Sequence, residues 1–185
     1  LVPVSSFMQL RGNHVIDFFV NRECETLDPF VSLDGIIELC HVIFKLKYLE
    51  SNMIPEEAIE KIDNLLVSVT KKGVQDGPSL LDAYKFFNDC IEQRGVKKPV
   101  VILSDGHGSR FDYYVFSFVS KENIHLFIGP PDTTGVTQLL DQINHTLHYK
   151  YKEAKNELFM SHETIYRKGF MEILSEFWTD WANND

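Results

Sequence analysis

The chain has few cysteines, no long apolar run and no excess of basic residues. Its 185 residues include 3 cysteines, at the separated positions Cys24, Cys40 and Cys90. Because no two of them form a CxxC pair, we expect free buried thiols in a reducing compartment rather than a disulfide scaffold or a zinc finger. Charges interrupt every apolar stretch, so neither a transmembrane helix nor a signal peptide is predicted. These absences predict an intracellular, soluble protein.

The charge balance is acidic, with 27 Asp and Glu against 18 Lys and Arg and a formal net charge of −9. A chain of this kind is poorly suited to binding nucleic acid through bulk electrostatics alone, because that mode of binding needs a basic face. The hydrophobic fraction of 44% and the charged fraction of 24% are those of an ordinary globular protein. The length predicts a single domain over residues 1–185 with a full hydrophobic core.

Hydrophobic periodicity predicts a mixed α/β fold with the order β-β-β-α-α-β-α-β-α-α. Alternating or continuous apolar runs predict strands at 14–20, 30–33, 36–44, 100–103 and 124–128. Helical spacing predicts helices at 55–66, 79–94, 111–119 and 136–158, and a helical C-terminal extension at about 161–182. Asp34-Gly35 is a hairpin signal, and Ser79 is a candidate helix cap. The first dozen residues and the last three carry no regular pattern.

Asp105 is the first candidate site residue, because it directly follows the apolar run that ends in Leu103 and Ser104. In open α/β sheets, ligands and catalytic groups gather at the carboxyl ends of strands. The alternative is a loop Asp that caps the next helix. The aromatic residues that follow are predicted to be core, with base stacking as the alternative: Phe111, Tyr113, Tyr114, Phe116 and Phe118.

Asp141 is the second candidate, on the predicted helix 136–158. An isolated helical Asp is normally a solvated surface residue, but Gln138, His145 and His148 fall on the same side at helical spacing. Two carboxylates, one at a strand end and one on a helix, supply the hard oxygen ligands that bind divalent cations and act on phosphodiesters. The two Asp residues therefore predict a metal site if the fold brings them together.

Two segments resemble the catalytic core of DDE superfamily endonucleases, the pogo, Tigger and jerky type of transposase. They are Pro99-Val-Val-Ile-Leu-Ser-Asp-Gly-His-Gly-Ser-Arg110 and Pro130-Pro-Asp-Thr-Thr-Gly-Val-Thr-Gln-Leu-Leu-Asp-Gln142. Asp105 matches the second acid of the family triad and Asp141 the third, 36 positions later. Weaker similarity extends over most of the chain.

The resemblance implies a ribonuclease H-like fold, in which antiparallel first strands are followed by parallel strands and helices cover both faces. It also implies a nuclear protein that acts on DNA with Mg2+ or Mn2+ bound by three carboxylates. We expect no membrane partner, and both a monomer and a homodimer stay open. His107 is expected to support the Asp105 site through a hydrogen bond, with direct metal contact as the alternative. Arg110 and His145 are further candidates for supporting the metal-binding Asp residues, and for His145 a surface position is the alternative. Arg110 replaces a His of the family pattern, a conservative change if it contacts phosphate and a damaging one if that position must shuttle protons.

The first acid of the triad has no match in this sequence. The family carries it in an Asp-Glu pair on the first strand, and no such pair precedes Ser32 here. We expect this acid either to lie upstream of Leu1, together with the basic DNA-reading domains, or to have been lost.

Three functions are therefore open. The chain is either a DNA-processing transposase core or a catalytically inactive, domesticated module that associates with nuclear DNA or with proteins. The third is a metallophosphohydrolase, but it needs further His and Asp ligands at other strand ends, and apart from His125, in the middle of a strand, the sequence offers none at plausible positions.

Overall fold

The computed structural model describes residues 6–9, 25–49, 54–104, 106, 108–129, 149, 153 and 167–182. The described strands are β1 Ser6–Gln9, β2 Glu25–Ser32, β3 Ile37–Lys45, β4 Leu65–Thr70, β5 Val100–Ser104 and β6 Ile124–Ile128. The described α-helices are α1 Glu56–Lys61, α2 Gly77–Gln93, α3 Tyr113–Lys121 and α4 Arg167–Ala182. A 3-10 turn over Gly108–Phe111 precedes α3.

The strands form one six-stranded mixed sheet in the order β4-β3-β2-β1-β5-β6. β2 is antiparallel to both of its neighbours, β1 and β3. The β3–β4, β1–β5 and β5–β6 pairs are all parallel. The predicted mixed sheet, with antiparallel pairing among the first strands and parallel pairing afterwards, is therefore confirmed.

Helices cover both faces of the sheet. Alternate residues of a strand point to opposite sides, so a single strand contributes to the core on each face. On β3, Leu39 belongs to a core cluster with residues of α2 and α3, including Phe87 and Val115. Cys40 and its neighbours two and four residues on belong to a second cluster, which contains residues of α1 and α4 such as Phe170. Cys40 and Cys90 are buried free thiols, as predicted, and Cys24 lies outside the described residues.

Two strands correct the sequence prediction. Residues 6–9, which carry no regular pattern, form β1 in the interior of the sheet. Leu65 and Leu66 were assigned to a helix by their spacing, but they begin β4. The helix ends early because Ile62 adopts an extended conformation (φ −101°, ψ 100°) and Asn64 has φ 56°. The predicted strand at 14–20 and the predicted helix at 136–158 fall wholly or largely outside the described residues.

The start of α2 and the exposure of the aromatic residues also differ from expectation. Asp76, not Ser79, caps α2, and the two side chains form a reciprocal capping box. The prediction of a buried aromatic cluster is wrong for four residues, which are 39–75% exposed: Phe111, Tyr113, Tyr114 and Phe116. They are exposed because α3 buries only Val115 and Val119 fully and Phe118 partly.

Candidate functional site at the carboxyl end of β5

The candidate site is the sheet edge where β1, β5 and β6 end, since parallel strands bring their carboxyl ends to the same edge. β5 ends at Ser104, and the backbone N–H of Gly129, which follows β6, donates to the Ser104 carbonyl at 2.8 Å. This hydrogen bond extends the pairing of the two strands past the end of β5. The last residue of β5 is therefore fixed to the end of β6.

Four of the five predicted site residues lie outside the described residues: Asp105, His107, Asp141 and His145. The arrangement of these four residues is therefore not described. A shared metal site needs the two Asp carboxylates about 4 to 8 Å apart, and that separation stays a prediction. Among the described residues, no group of three His, Cys, Asp or Glu side chains is placed to hold a metal ion.

Arg110, the fifth predicted residue, is buried, with 1% of its surface exposed. Its Nε donates to Ser104 Oγ at 2.9 Å, and its Nη1 donates to Ser109 Oγ at 2.7 Å. Nη1 also donates to the side-chain oxygen of Gln75. The guanidinium is thus hydrogen-bonded to the side chains of Ser104, Ser109 and Gln75 in the protein interior.

Gln75 links Arg110 to a second buried charge. Its side-chain nitrogen donates to a carboxylate oxygen of Asp28, while its oxygen accepts from Arg110. Asp28 is 1% exposed and lies on β2, whereas Gln75 precedes α2 by two residues. Asp28, Gln75 and Arg110, which we name the buried bridge, therefore connect β2, the loop before α2 and the turn after β5.

His41 lies beside the buried bridge, as the cross-strand partner of Asp28. It is fully buried, and its Nε2 forms a 2.9 Å hydrogen bond with Ser68 Oγ on β4. Burial, reinforced by the positive charge of Arg110, lowers the pKa of His41 from 6.5 to about 3. His41 is therefore neutral at physiological pH and acts here as a structural residue.

The sequence analysis missed Asp28, Gln75 and His41. One signal was available, because Asp28 and His41 interrupt otherwise apolar β-strand sequences, as buried polar residues do. Gln75 sits in a loop-like segment, and no sequence pattern identifies it as buried.

Comparison with known proteins yields a distant match. No family model matches the chain. The chain is 28% identical over 163 residues to the DNA mismatch repair protein MutS of Finegoldia magna, a match that covers 80% of this chain. The chain spans only 19% of that protein. In the part of the chain that the structure describes, no helix has the length and hydropathy needed to cross a membrane.

Proposed function

We propose that the chain is the DNA-processing core of a pogo-like transposase, with a ribonuclease H-like fold that acts at DNA phosphodiesters. The strand order carries this proposal: β1 lies between antiparallel β2 and parallel β5, and Asp105 directly follows β5. The resemblance to DDE endonucleases implies a sheet of this kind, with antiparallel first strands followed by parallel strands.

Asp105 and Asp141 are the residues that would hold Mg2+ or Mn2+. Carboxylate oxygens suit these hard cations, and the described residues at the sheet edge, Ser104 and Gly106, offer no other carboxylate. When bound, the metal would activate water and neutralise charge on the phosphodiester. The proposal requires the fold to bring the Asp105 and Asp141 segments to one edge of the sheet.

The distant relative supports DNA as the partner, because it is named as a DNA mismatch repair protein. That protein is several times longer than this chain, so its name bears on the type of partner and not on the reaction. A nuclear location and a possible homodimer belong to the same proposal, through the resemblance to transposases.

A catalytically inactive, domesticated module is the second candidate, and β1 favours it. The first acid of the triad belongs on the first strand, but β1 consists of Ser6-Phe7-Met8-Gln9 and contains no carboxylate. A core with two of the three acids would associate with nuclear DNA or proteins without cutting DNA.

Metal-dependent stabilisation and DNA nicking separate the two candidates. The melting temperature of an active core should rise by several degrees in Mn2+, because a ligand that binds only the folded state stabilises that state. An active core should also nick supercoiled plasmid DNA. Asp105→Asn and Asp141→Asn should each remove both effects. Asp89→Asn, at an exposed position on α2, is the matched control and should keep both.

Other outcomes decide between the candidates. DNA retention in a gel-shift assay without nicking would favour the inactive module. The absence of an Mn2+ shift, of nicking and of DNA retention in the wild type would contradict a DNA-associated function altogether.

A further inference from the structure

β6 lies at one edge of the sheet, and none of the described strands pairs with its outer side. Natural proteins protect such edges from further pairing with lysine, proline, charged residues or β-bulges. β6 has the sequence Ile124-His-Leu-Phe-Ile128, which contains none of these residues, and its register with β5 is continuous. The outer edge of β6 therefore lacks the usual protection against a further strand.

Two hydrogen bonds to β5 show which backbone groups of β6 point outward. The N–H of Val100 donates to the Asn123 carbonyl at 3.3 Å, and the N–H of Gly129 donates to the Ser104 carbonyl at 2.8 Å. Since the backbone groups of successive strand residues point to opposite sides, the odd-numbered residues of β6 bond to β5. The N–H and C=O groups at the outer edge are those of the even-numbered residues: Ile124, Leu126 and Ile128.

Apolar side chains adjoin this edge. A groove of about 320 Å3 between α3 and β6 is lined by residues 124–127 of the strand and by Phe116, Val119 and Ser120 of the helix. Phe116 is 39% exposed, and Phe127 is 61% exposed. Exposed apolar surface beside an open strand edge is typical of sites where a strand of another molecule adds to the sheet.

The sequence of β6 is complementary to a second copy of itself. In an antiparallel pair about a two-fold axis at Leu126, the outward N–H and C=O groups of the two copies meet and form about six hydrogen bonds. His125 of each copy then lies opposite Phe127 of the other, and Ile124 lies opposite Ile128. Like charges directly opposite one another destabilise such a pair, and this register contains no Lys, Arg, Asp or Glu.

We propose that β6 is the interface of a homodimer, in which two copies pair their β6 edges in antiparallel register and continue one sheet across the two-fold axis. The proposal assigns an interface to the homodimer of the proposed function and rests on it in that respect alone, since it involves neither metal nor DNA. The paired strand is short, so we expect a weak dimer, in the class of interfaces that bury less than about 1,200 Å2.

Hydrogen exchange of the full chain tests the pairing without any substitution. The Leu126 amide points to the outer edge, so its protection should rise by about tenfold or more between a dilute solution and a concentration at which the dimer forms. The His125 and Phe127 amides point to β5 and should be protected equally at both concentrations. Sedimentation velocity over the same range gives the oligomeric state.

Paired substitutions test the register. In the variant His125→Lys, Phe127→Lys, the introduced lysines lie opposite each other and should weaken the dimer by about tenfold or more. Overall repulsion would not explain this loss, because added lysines reduce the net charge of −9. In the variant His125→Lys, Phe127→Glu, opposite charges meet, and the dimer should be about tenfold tighter than that of the double-lysine variant.

The fold should tolerate these changes, because both positions are exposed. Ile59→Lys is the matched control, since it places a lysine at an exposed apolar position on α1, and it should leave the dimer unchanged. If a paired variant does not fold, the exchange of the wild-type Leu126 amide still decides the proposal.

Other results would overturn the proposal. A chain that stays monomeric with a rapidly exchanging Leu126 amide would leave the edge open to a strand of another protein. A Leu126 amide protected in the monomer would show that another segment of the same chain covers the edge. A dimer that forms without added protection at Leu126, or that is equally tight in both paired variants, would place the interface elsewhere. Failure of nicking or of Mn2+ binding would overturn the proposed function and leave these measurements unaffected.

Discussion

Asp28 and Arg110 are buried, oppositely charged residues from distant parts of the chain, and the side chain of Gln75 binds both. Removing one partner of a buried charge pair leaves the other charge uncompensated, at a cost of about 3–5 kcal/mol. Asp28→Asn should therefore lower the free energy of unfolding by about that amount in urea titrations.

Two further variants make this prediction specific. In an Arg110→Met background, Asp28→Asn should cost much less, because the two charges belong to one network and their effects do not add. Asp82→Asn, which breaks an exposed pair with Lys85, should cost at most about 1 kcal/mol. A cost for Asp28→Asn equal to that of Asp82→Asn would contradict the buried bridge.

His41 should make the protein sensitive to acid. Its pKa is about 3 in the folded protein, against an ordinary value of 6.5. The unfolded chain therefore takes up a proton as the pH falls below 6.5, while the folded protein stays neutral at this site. Stability contributed by neutral His41 is present above pH 6.5 and falls as the pH is lowered towards 3, by about 2 kcal/mol between pH 7 and pH 5.

Unfolding measured across this pH range checks the effect of His41. His41→Gln should flatten the slope between pH 7 and pH 5, because glutamine takes up no proton in either state. His125→Gln, at an exposed position of β6, should leave the slope as it is. An unchanged slope in His41→Gln would show that other groups cause the acid sensitivity.

Gly77→Ala should destabilise the start of α3, although Gly77 belongs to α2. A Cβ at this position would meet the Asp112 carboxylate, with the carboxyl carbon at 2.8 Å. Asp112 caps α3 by accepting from the backbone N–H groups of Tyr114 and Val115. Displacing this cap should cost about 1–2 kcal/mol in thermal or urea unfolding. Gly108→Ala should cost less, because a Cβ there meets open space.

Two tyrosines should differ sharply in their contribution to stability. Tyr84 is fully buried and packs edge-on against Phe30 with ring centroids 5.6 Å apart, whereas Tyr113 is 75% exposed. Tyr84→Ala should lower the free energy of unfolding by about 3–5 kcal/mol, the usual cost of deleting a buried aromatic ring. Tyr113→Ala should change it by no more than about 0.5 kcal/mol. Comparable losses would contradict the placement of α3.

The core strands and helices could be predicted because their patterns are strong and local. The stripe of α2, with Leu80, Tyr84 and Phe87, is buried as expected. The apolar run of β5 is buried at Val100 and Ile102, but Leu103 is 36% exposed. β4 was missed because Leu65 and Leu66 continue the helical spacing of Ile62. The competing signal was the β-branched content of Val67, Val69 and Thr70, which favours a strand.

The candidate site was less predictable than the core. The resemblance to DDE endonucleases identified Arg110, and the structure places that residue in the interior. Its partners Asp28 and Gln75 come from positions 82 and 35 residues earlier in the chain. Such contacts depend on tertiary packing, which local periodicity does not predict. Asp105 and Asp141 remain predictions of the sequence.

The position of β1 has a consequence for how the chain folds. β1 lies between the β2–β3–β4 and β5–β6 parts of the described sheet, so the two parts share no backbone pairing until it is in place. Its pairing with β5 joins residues more than 90 positions apart, and contacts of such long sequence separation form slowly. A four-residue strand near the start of the chain thus completes the sheet late, and deleting it would leave two half-sheets with newly exposed edges open to aggregation.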